Sequence, residues 1–590
     1  MSSKDKKSYI TAALPIIFLV TVFLFLIRGS AVKTGLDNFF WYTGNGYDGD
    51  IYTYFRMKVF IVLTIISVVY MIISVLSGSA KIYKNKVYIP MAVYAVFVLI
   101  SYMAAEYKQV ALIGFNERYE GTFVLIGYML ILFYAMNMLN NEKAFKAIFY
   151  AFSVACVLLG VWGVLQVFGI DINNLPVWLY IPSGLRSAAD LSQKMGADAV
   201  RWFFSNQNYS SFFMIFPIAV SAMLVIANEK MSMKIVFTVI LALMLYSLWN
   251  AASLGGMVGL AAAGILGLVV FGKNLVKWAK SIVLIIIAIV ISAGVSLPTI
   301  MGQVSSVSSA TAEGNIFSSV AYADDTPSEG LKYVDIDYIK TNGADIIFGF
   351  VGNEITIKTE NDKLKGVCDS DGKEIGNETE YMTVSEENNS DTGYNMITVK
   401  TANATWDFAA INGETWFASP SGQGIKLDKI ESFGFKNSQS FATYRGYIWS
   451  RTIPLIKHTI LIGHGADTFA IYFPQDDYAG RYNIGYYSDS QKIMIDKPHN
   501  MYLGAAVNTG VISLIALLAV FAMYLFDSFK IYKKCNYDSF IKYMGAGIFF
   551  AVFGFLVSGL VNDSTVQVMP AFYALLGTGF AMNRIIKEKK

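Results

Sequence analysis

Long apolar runs are the feature of this sequence that most restricts its fold. A helix needs about 20 apolar residues to cross a hydrocarbon layer of roughly 30 Å. Because an unpaired backbone amide in lipid costs several kcal/mol, such runs fold as complete helices. The sequence has twelve of them, at 9–27, 57–78, 87–104, 122–139, 147–169, 209–227, 235–250, 255–271, 281–298, 503–526, 541–561 and 568–583. With 55% hydrophobic and 15% charged residues, the chain is predicted to be a polytopic α-helical membrane protein of about twelve transmembrane helices.

The cations of the short loops predict the orientation of these helices. They collect in alternate segments, namely Lys81, Lys84 and Lys86; Lys143 and Lys146; Lys230 and Lys234; Lys273, Lys277 and Lys280; Lys530, Lys533 and Lys534; and Arg584, Lys587, Lys589 and Lys590. We therefore expect both termini in the cytoplasm and the segments 29–56, 105–121, 170–208 and 299–502 outside. The net charge of +3 is too small for a chain of this length to indicate nucleic-acid binding.

The largest outer segment divides into two parts. From about 299 to 440 the sequence alternates polar and apolar residues between Asn-Gly, Asp-Gly and Ser-Gly turns, which is typical of antiparallel β structure. We interpret 299–440 as an inserted β-rich domain. Its aromatic residues Trp406, Trp416 and Phe417 could recognise a glycan or another acceptor. The alternative is that they form the core of a sandwich, as regularly spaced aromatics in strands usually do.

The second part, 441–502, gathers the candidate site residues. All three histidines of the chain, His458, His464 and His499, lie between positions 445 and 510. The stretch from Phe441 is predicted to form an amphipathic helix that leads to the glycine-rich turn at 463–465. His499 precedes the helix at 503–526 and so lies at the edge of the membrane. This segment predicts an active site at the membrane surface.

Several short motifs follow one another in a recognisable order. They are Arg445-x-x-x-Trp449; Gly463-x-Gly465 with a following Phe469; His499-Asn500-x-x-Leu503 with a following Gly510; Arg118-Tyr119-Glu120-Gly121; and Arg201 followed by Phe204, Asn206 and Asn208. This order resembles the O-antigen ligase family, which includes O-antigen polymerases and protein O-oligosaccharyltransferases. The resemblance covers roughly 100–270 and 440–585. The chain departs from the family pattern at Gln207, where proline is usual, and at 252–255, where Ala-Ser-Leu-Gly replaces Ser-Arg-Gly.

The resemblance implies a GT-C-like glycosyltransferase in a bacterial cell membrane, with its active site on the extracytoplasmic face. Such an enzyme would transfer a glycan from an undecaprenyl diphosphate carrier to a hydroxyl of a glycan, lipid, cell-wall polymer or protein. A growing negative charge on the departing diphosphate requires preorganised cations, and arginine can bond two phosphate oxygens at once. The expected phosphate-binding cations are Arg118, Arg201 and Arg445.

A base must also remove the proton of the attacking hydroxyl, and histidine suits that task. We expect His499 to be this base and Arg445 to be the second catalytic residue. The remaining candidate substrate-binding residues are Arg118, Arg201, Arg481, Asn206, Asn208, Asn500, Trp449 and His464. The outer segments hold no set of carboxylates with metal-ligand spacing beyond the weak pair Asp476-Asp477. We therefore expect metal-independent catalysis without a cofactor. The mechanism that the resemblance implies, with attack from the face opposite the diphosphate, would invert the anomeric centre.

Structural roles remain open for each candidate. His499 could cap a helix, Arg445 could anchor the chain at the headgroups, and Arg118 could form a surface ion pair with Glu120. Asn206 and Asn208 could cap a helix, and Trp449 could serve packing. For the whole chain, a repeat-unit polymerase with the same chemistry is the main alternative. A transporter or lipid-glycan sensor is another, although the helix centres hold few ionisable residues.

Overall fold

The computed structural model of the protein describes residues 3–24, 30–44, 46–50, 52–170, 199–272, 274–302, 330–388, 393–485 and 494–588. Most of the outer loop 170–208, the Ser/Ala/Gly-rich approach at 303–329 and part of the tyrosine-rich loop after Phe473 lie outside these residues. Helices predominate at both ends of the chain, and strands occupy a stretch between them.

The helices of the amino-terminal part follow the apolar runs. They are α1 (Ser3–Leu24), α2 (Tyr54–Leu76), α3 (Tyr88–Ala104), α4 (Lys108–Ile113), α5 (Thr122–Met138), α6 (Glu142–Val167), α7 (Gln207–Ala227), α8 (Met231–Asn250), α9 (Leu254–Phe271), α10 (Asn274–Lys277) and α11 (Ala279–Val295). Between α1 and α2, the short strands β1 (Ser30–Lys33) and β2 (Tyr47–Asp50) pair antiparallel. Two helices begin earlier than their apolar runs, because Asn141 and Asn206 cap them with side-chain hydrogen bonds.

The helices of the carboxyl-terminal part include both surface and apolar ones. They are α12 (Phe441–Leu455), α13 (Phe469–Tyr472), α14 (Tyr478–Asn483), α15 (Met501–Thr509), α16 (Val511–Tyr532), α17 (Phe540–Ser558) and α18 (Met569–Glu588). Residues 442–444 of α12 have positive φ, so its right-handed part starts at about Arg445. The helix predicted to run on towards the glycine turn ends at Leu455, and only a single 3-10 turn, Ile456–His458, follows it.

Within the described residues, seven helices are long and apolar enough to cross a membrane: α2, α6, α7, α8, α9, α16 and α17. The apolar helices α3, α5 and α11 are shorter. The chain is therefore a polytopic membrane protein, and the count of twelve crossings stays a prediction. Of these seven helices, α7 and α17 are the most enclosed, with 83% and 72% of an 18-residue apolar stretch buried inside the protein. Phe212 and Phe555 stack between them with ring centroids 3.6 Å apart, so this helix pair forms the centre of the bundle.

One predicted helix is interrupted. The apolar run 503–526 was expected to form a single helix, but α15 ends at Thr509 and α16 starts at Val511. Gly510 lies between them with φ +95°, a conformation that glycine adopts without strain. The loop between the 3-10 turn and α13 contacts this break, since the Val511 amide donates to the Thr459 carbonyl at 3.0 Å.

Two antiparallel sheets occupy the middle of the 299–440 segment. The first contains β3 (Ile336–Asn342), β4 (Asp345–Phe350), β5 (Asn353–Glu360) and β6 (Lys363–Cys368) in sequential order. The second contains β7 (Met382–Asn388), β8 (Asn395–Thr401), β9 (Thr405–Ile411), β10 (Glu414–Ala418) and β11 (Gly424–Ile425), also in sequential order. Short turns connect these strands, as expected for meanders of period-2 sequence.

The aromatic residues of these strands differ in exposure. Trp406 and Phe417 are buried in a common apolar cluster with residues of both sheets, whereas Trp416 is only half-buried. The first two therefore serve packing, which is the alternative left open by the sequence. Helix α14 adds Tyr478 and Tyr482 to the same cluster. The sheets are thereby joined to the segment that leads towards His499.

Candidate active site

A short loop between the last two helices organises the candidate site. We call residues 559–568 the hub loop. Gln567 Nε2 donates to Ser205 Oγ at 2.8 Å and to the Glu117 carbonyl at 3.2 Å. The Val566 amide donates to the Arg118 carbonyl at 3.1 Å. The hub loop therefore holds the turn before α7 and the loop before α5 together at one end of the helix bundle.

His499 makes its closest polar contact with this loop. His499 Nδ1 lies 2.9 Å from Asp563 Oδ2, and the two side chains are 29% and 5% exposed. Burial opposes the charge on Asp563, but His499, Lys497 and Arg118 outweigh that effect and lower the pKa of Asp563. Because an ionised carboxylate accepts the Nδ1 proton, Nε2 is the nitrogen that can take up another proton. This arrangement is that of a base oriented by a carboxylate.

The backbone around His499 is held on both sides. Trp449 Nε1 donates to the Pro498 carbonyl at 2.8 Å, and the Met501 amide donates to the Gly559 carbonyl at 3.0 Å. Asn500 caps α15 by accepting from the amides of residues 502 and 503 at 2.9 and 3.0 Å. His499 itself has φ +50°, a conformation that costs a non-glycine residue about 1 kcal/mol or more and therefore needs such support. Trp449 and Asn500 thus hold the backbone on either side of His499 in place.

Arg445 also reaches the hub loop. Its Nε donates to the Val561 carbonyl at 3.2 Å, and its Nη1 donates to the Ala442 carbonyl at 2.6 Å. Val561 is two residues before Asp563 in the sequence. The half-buried guanidinium is therefore attached to the loop that also orients His499.

Arg118 is buried and already faces two carboxylates. Its Nε lies 2.6 Å from Asp467 Oδ1, and its Nη1 lies 3.4 Å from Asp496 Oδ2. Burial alone would lower the pKa of Arg118, but Asp467 and Asp496 raise it. The alternative of a surface ion pair with Glu120 is wrong, because Arg118 is 4% exposed and pairs elsewhere. Its Nη2 is buried and has no hydrogen-bond partner among the described residues, so one donor remains for a ligand.

A second buried cation, which the motifs did not single out, lies next to these residues. Lys497 Nζ lies 2.9 Å from Glu117 Oε2 and 3.3 Å from Asp496 Oδ2. Although burial alone would lower the pKa of Lys497, the negative charges of Asp496 and Glu117 raise it. The side chain therefore stays charged and ties the segment before His499 to the loop before α5.

A cavity of about 60 Å³ lies next to these groups. Arg118, Glu120, Asp467 and Asp563 are among its lining residues, whereas His499, Arg445 and Lys497 are not. Its other walls are mostly apolar and come from α3, α5, α15, α16 and α18, through residues such as Leu125, Met501, Leu517, Phe521 and Met569. A cavity of this volume can hold a few water molecules. The cavity lining is thus amphipathic, with one cationic and three acidic side chains among mostly apolar residues.

The candidates of the turn before α7 have structural contacts. Asn206 Oδ1 accepts from the Asn208 amide at 2.7 Å as the cap of α7, and Asn208 Oδ1 accepts from Ser253 Oγ at 2.8 Å. Ser253 belongs to the segment that departs from the family pattern, and it links α7 to the start of α9. Arg201 is half-buried in the same turn. Neither these asparagines nor Arg201 belong to the described lining of the cavity.

Two other candidates lie away from the cavity. His464 stacks on Tyr472 with ring centroids 3.7 Å apart, and burial lowers its pKa. Arg481 is buried on α14 and donates to Gln475 Oε1 at 2.7 Å. The same Gln475 oxygen accepts from the Ile495 amide at 3.1 Å. Arg481, on the helix that packs against the sheets, is therefore linked through Gln475 to the segment before His499.

Sequence reasoning missed the acidic residues that contact Arg118, Lys497 and His499. Asp467 follows the glycine turn by two residues, Asp496 lies three residues before His499, and Asp563 occupies a short loop between two apolar helices. A lone carboxylate in such a loop is a detectable signal, because a charge is costly near the membrane unless it is paired. Within the part of the chain that the structure describes, no group of three or more His, Cys, Asp and Glu side chains could hold a metal ion.

Comparison with known proteins identifies one domain. The model of the O-antigen ligase family matches residues 391–518, from the second sheet through α15 and into α16. The match contains Arg445, Trp449, Asp467 and His499, and it begins within the segment that was expected to lie outside the family pattern. No curated protein and no solved structure matches the chain. The chain therefore contains a domain, residues 391–518, that is similar to the O-antigen ligase family.

Proposed function

We propose that this protein transfers a glycan from undecaprenyl diphosphate to an acceptor hydroxyl, in the manner of an O-antigen ligase. The observation that carries the proposal is the His499–Asp563 contact of 2.9 Å on a loop that Arg445 also contacts. Arg118, with one unpartnered donor nitrogen among the described residues, lies at the same cavity as Asp563. An oriented base and two cations within one loop cluster are what such a transfer requires.

The proposed reaction is a displacement at the anomeric carbon of the donor. His499 Nε2 takes the proton of the acceptor hydroxyl while its oxygen forms a bond to C1. The bond between C1 and the diphosphate oxygen breaks, and the electron pair leaves with the diphosphate. Arg118 Nη2 and the guanidinium of Arg445 stabilise the negative charge that develops there. Asp563 stabilises the imidazolium that forms. Attack opposite the diphosphate inverts the anomeric centre.

The proposed reaction also determines on which side of the membrane we place the site. We place the hub loop, Arg118, Arg445 and His499 on the extracytoplasmic face of a bacterial cell membrane, with both termini in the cytoplasm. The apolar walls of the cavity belong to α3, α5, α16 and α18, so a polyprenyl carrier can approach from the bilayer while its diphosphate meets the cations. We assign a GT-C-like architecture with twelve crossings and catalysis without a metal. The two sheets would bind the acceptor.

The test uses the purified protein with a defined undecaprenyl diphosphate oligosaccharide, with and without a chelator. Release of the carrier and the size of the glycan product are both measured. One transfer per acceptor supports a ligase, and a ladder of products supports the polymerase alternative. Absence of carrier release in the presence of candidate acceptors would refute the proposed function, and loss of activity with chelator would refute metal-free catalysis.

Variants test the residue assignments. We expect His499→Ala and Arg445→Ala each to abolish turnover while the protein remains folded. His458→Ala is the matched control, because His458 is exposed in the same segment, and it should retain activity. Turnover by the His499 variant comparable with that of the unmodified protein would remove the general-base assignment.

A further inference from the structure

Glu120 is a buried carboxyl group that the proposed reaction does not use. It directly precedes Gly121 and α5, and its side chain lines the cavity together with Arg118, Asp467 and Asp563. The residue is 5% exposed. A carboxyl group in such a place is either paired with a cation or kept neutral.

The hydrogen-bond partners of Glu120 are neutral. Tyr128 donates its hydroxyl to Glu120 Oε1 at 2.6 Å, and the Ser564 side chain forms a second hydrogen bond. The nearest arginine, Arg118, directs its Nε to Asp467 instead. No ion pair joins Glu120 to any cation in the described part of the chain. Burial without a paired cation favours the uncharged acid.

The groups that face Glu120 come from every element around it. They are the hydroxyls of Tyr94 on α3, Tyr128 on α5 and Tyr573 on α18, the carboxylates of Asp467 and Asp563, and the guanidinium of Arg118. Burial raises the pKa of Glu120 to about 8, against the opposing effects of Ser564, Tyr128 and Arg118. The group is therefore mostly protonated at neutral pH and titrates just above it.

We propose that Glu120 binds the donor as a neutral carboxylic acid, with its hydroxyl donating a hydrogen bond to a diphosphate oxygen next to Arg118. The inference rests on the proposed function, because it takes undecaprenyl diphosphate as the ligand. A neutral acid adds a donor where the anion is bound, whereas an ionised carboxylate would repel that anion in a site that excludes water. Glu120 is thus a binding residue, and donor binding requires its proton.

The test measures the affinity of the full-length protein in detergent for undecaprenyl diphosphate without a glycan, at pH 7 and pH 9. If only the protonated form binds, a group with a pKa of about 8 lowers the affinity about tenfold over this interval, since the competent fraction falls from about nine tenths to one tenth. In Glu120→Gln the amide stays neutral and can donate, so we expect a change smaller than threefold. Any change in the ionisation of the ligand between pH 7 and pH 9 affects the unmodified protein and Glu120→Gln equally, so it cancels in the comparison.

Two further variants make the test specific. Glu106→Gln removes an exposed carboxylate of the same outer segment and should retain the pH dependence of the unmodified protein. Tyr128→Phe removes a hydrogen bond that lowers the pKa of Glu120, so the loss of affinity should begin at a higher pH. This shift distinguishes titration of Glu120 from a merely structural role, and it can be measured even if Glu120→Gln does not fold.

The outcomes separate the two proposals. Failure of the unmodified protein to bind undecaprenyl diphosphate at pH 7 would overturn the proposed function. Binding at pH 7 with the same pH dependence in the unmodified protein and in Glu120→Gln would overturn the assignment of Glu120 alone. An unchanged midpoint in Tyr128→Phe would also count against it.

Discussion

Replacing Asp563 by asparagine tests whether the hub loop orients His499, the proposed base. The substitution keeps the size of the side chain and removes its charge. In the unmodified protein Asp563 Oδ2 accepts from His499 Nδ1 at 2.9 Å, and in the proposed reaction it stabilises the imidazolium that forms. Asparagine can present either its oxygen or its NH₂ group to Nδ1, and the second choice selects the wrong tautomer. The variant should therefore fold but turn over slowly.

The size of the effect follows from the geometry. Two unit charges 2.9 Å apart interact by about 6 kcal/mol at an effective dielectric constant of about 20, which is an upper bound. Because the imidazole is 29% exposed, solvent screens part of this interaction. We take about 2–4 kcal/mol as the loss of transition-state stabilisation. This range corresponds to a decrease in kcat of about 30- to 1000-fold.

The assay is single-turnover release of carrier from an undecaprenyl diphosphate oligosaccharide, with donor affinity measured separately. We expect Asp563→Asn to lower the rate and to change the affinity little. Asp428→Asn is the matched control, because Asp428 is an exposed carboxylate of the sheet segment that pairs with Lys340. A folded Asp563→Asn protein whose rate is within threefold of the unmodified rate would refute the orientation of His499 by Asp563.

Three further predictions concern the surroundings of the site. Trp449→Phe keeps an aromatic side chain but loses the 2.8 Å hydrogen bond to the Pro498 carbonyl. A loss of about 1 kcal/mol should lower kcat/KM about fivefold. Unchanged kinetics would exclude a positioning role for Trp449. Gly510→Ala forces alanine into φ +95° and should lower the melting temperature in detergent, whereas Gly264→Ala, on a helix with open space around its Cβ position, should not. Glu120 has a pKa of about 8 in the folded protein against an ordinary value of 4.5. Between these pH values the folded protein therefore binds more protons than the unfolded protein. Its free energy of unfolding should decrease as pH rises from 5 to 8. Glu120→Gln should remove that slope, and an identical slope in both proteins would contradict the assignment.

The apolar helices could be predicted from sequence because their determinants are local. The length of an apolar run predicts the length of its helix, and caps such as Asn206 lie within three residues of the amides that they bond. The break at Gly510 was missed for a related reason. The residue lies within an unbroken apolar run, and what separates α15 from α16 there is a contact with Thr459, fifty residues earlier in the sequence.

The candidate site was only partly predictable because its contacts are distant in sequence. The motifs named His499 and Arg445, and the structure attaches both to one loop. Nothing local indicates that Arg118 pairs with Asp467, a residue 349 positions later. A single sequence shows which side chains carry charge, but their pairing depends on how the helices pack.

The hub loop also has a consequence for how the protein is made. The ribosome synthesises residues 559–568 after the other described segments of the site. Until α17, α18 and the loop between them have packed against the rest of the protein, His499 lacks its carboxylate and Arg445 lacks its backbone partner. If the protein acts as proposed, it can become active only after these two helices are in place. A chain cut before α17 would still contain the motifs quoted from Arg118 to Gly510 and would lack both contacts.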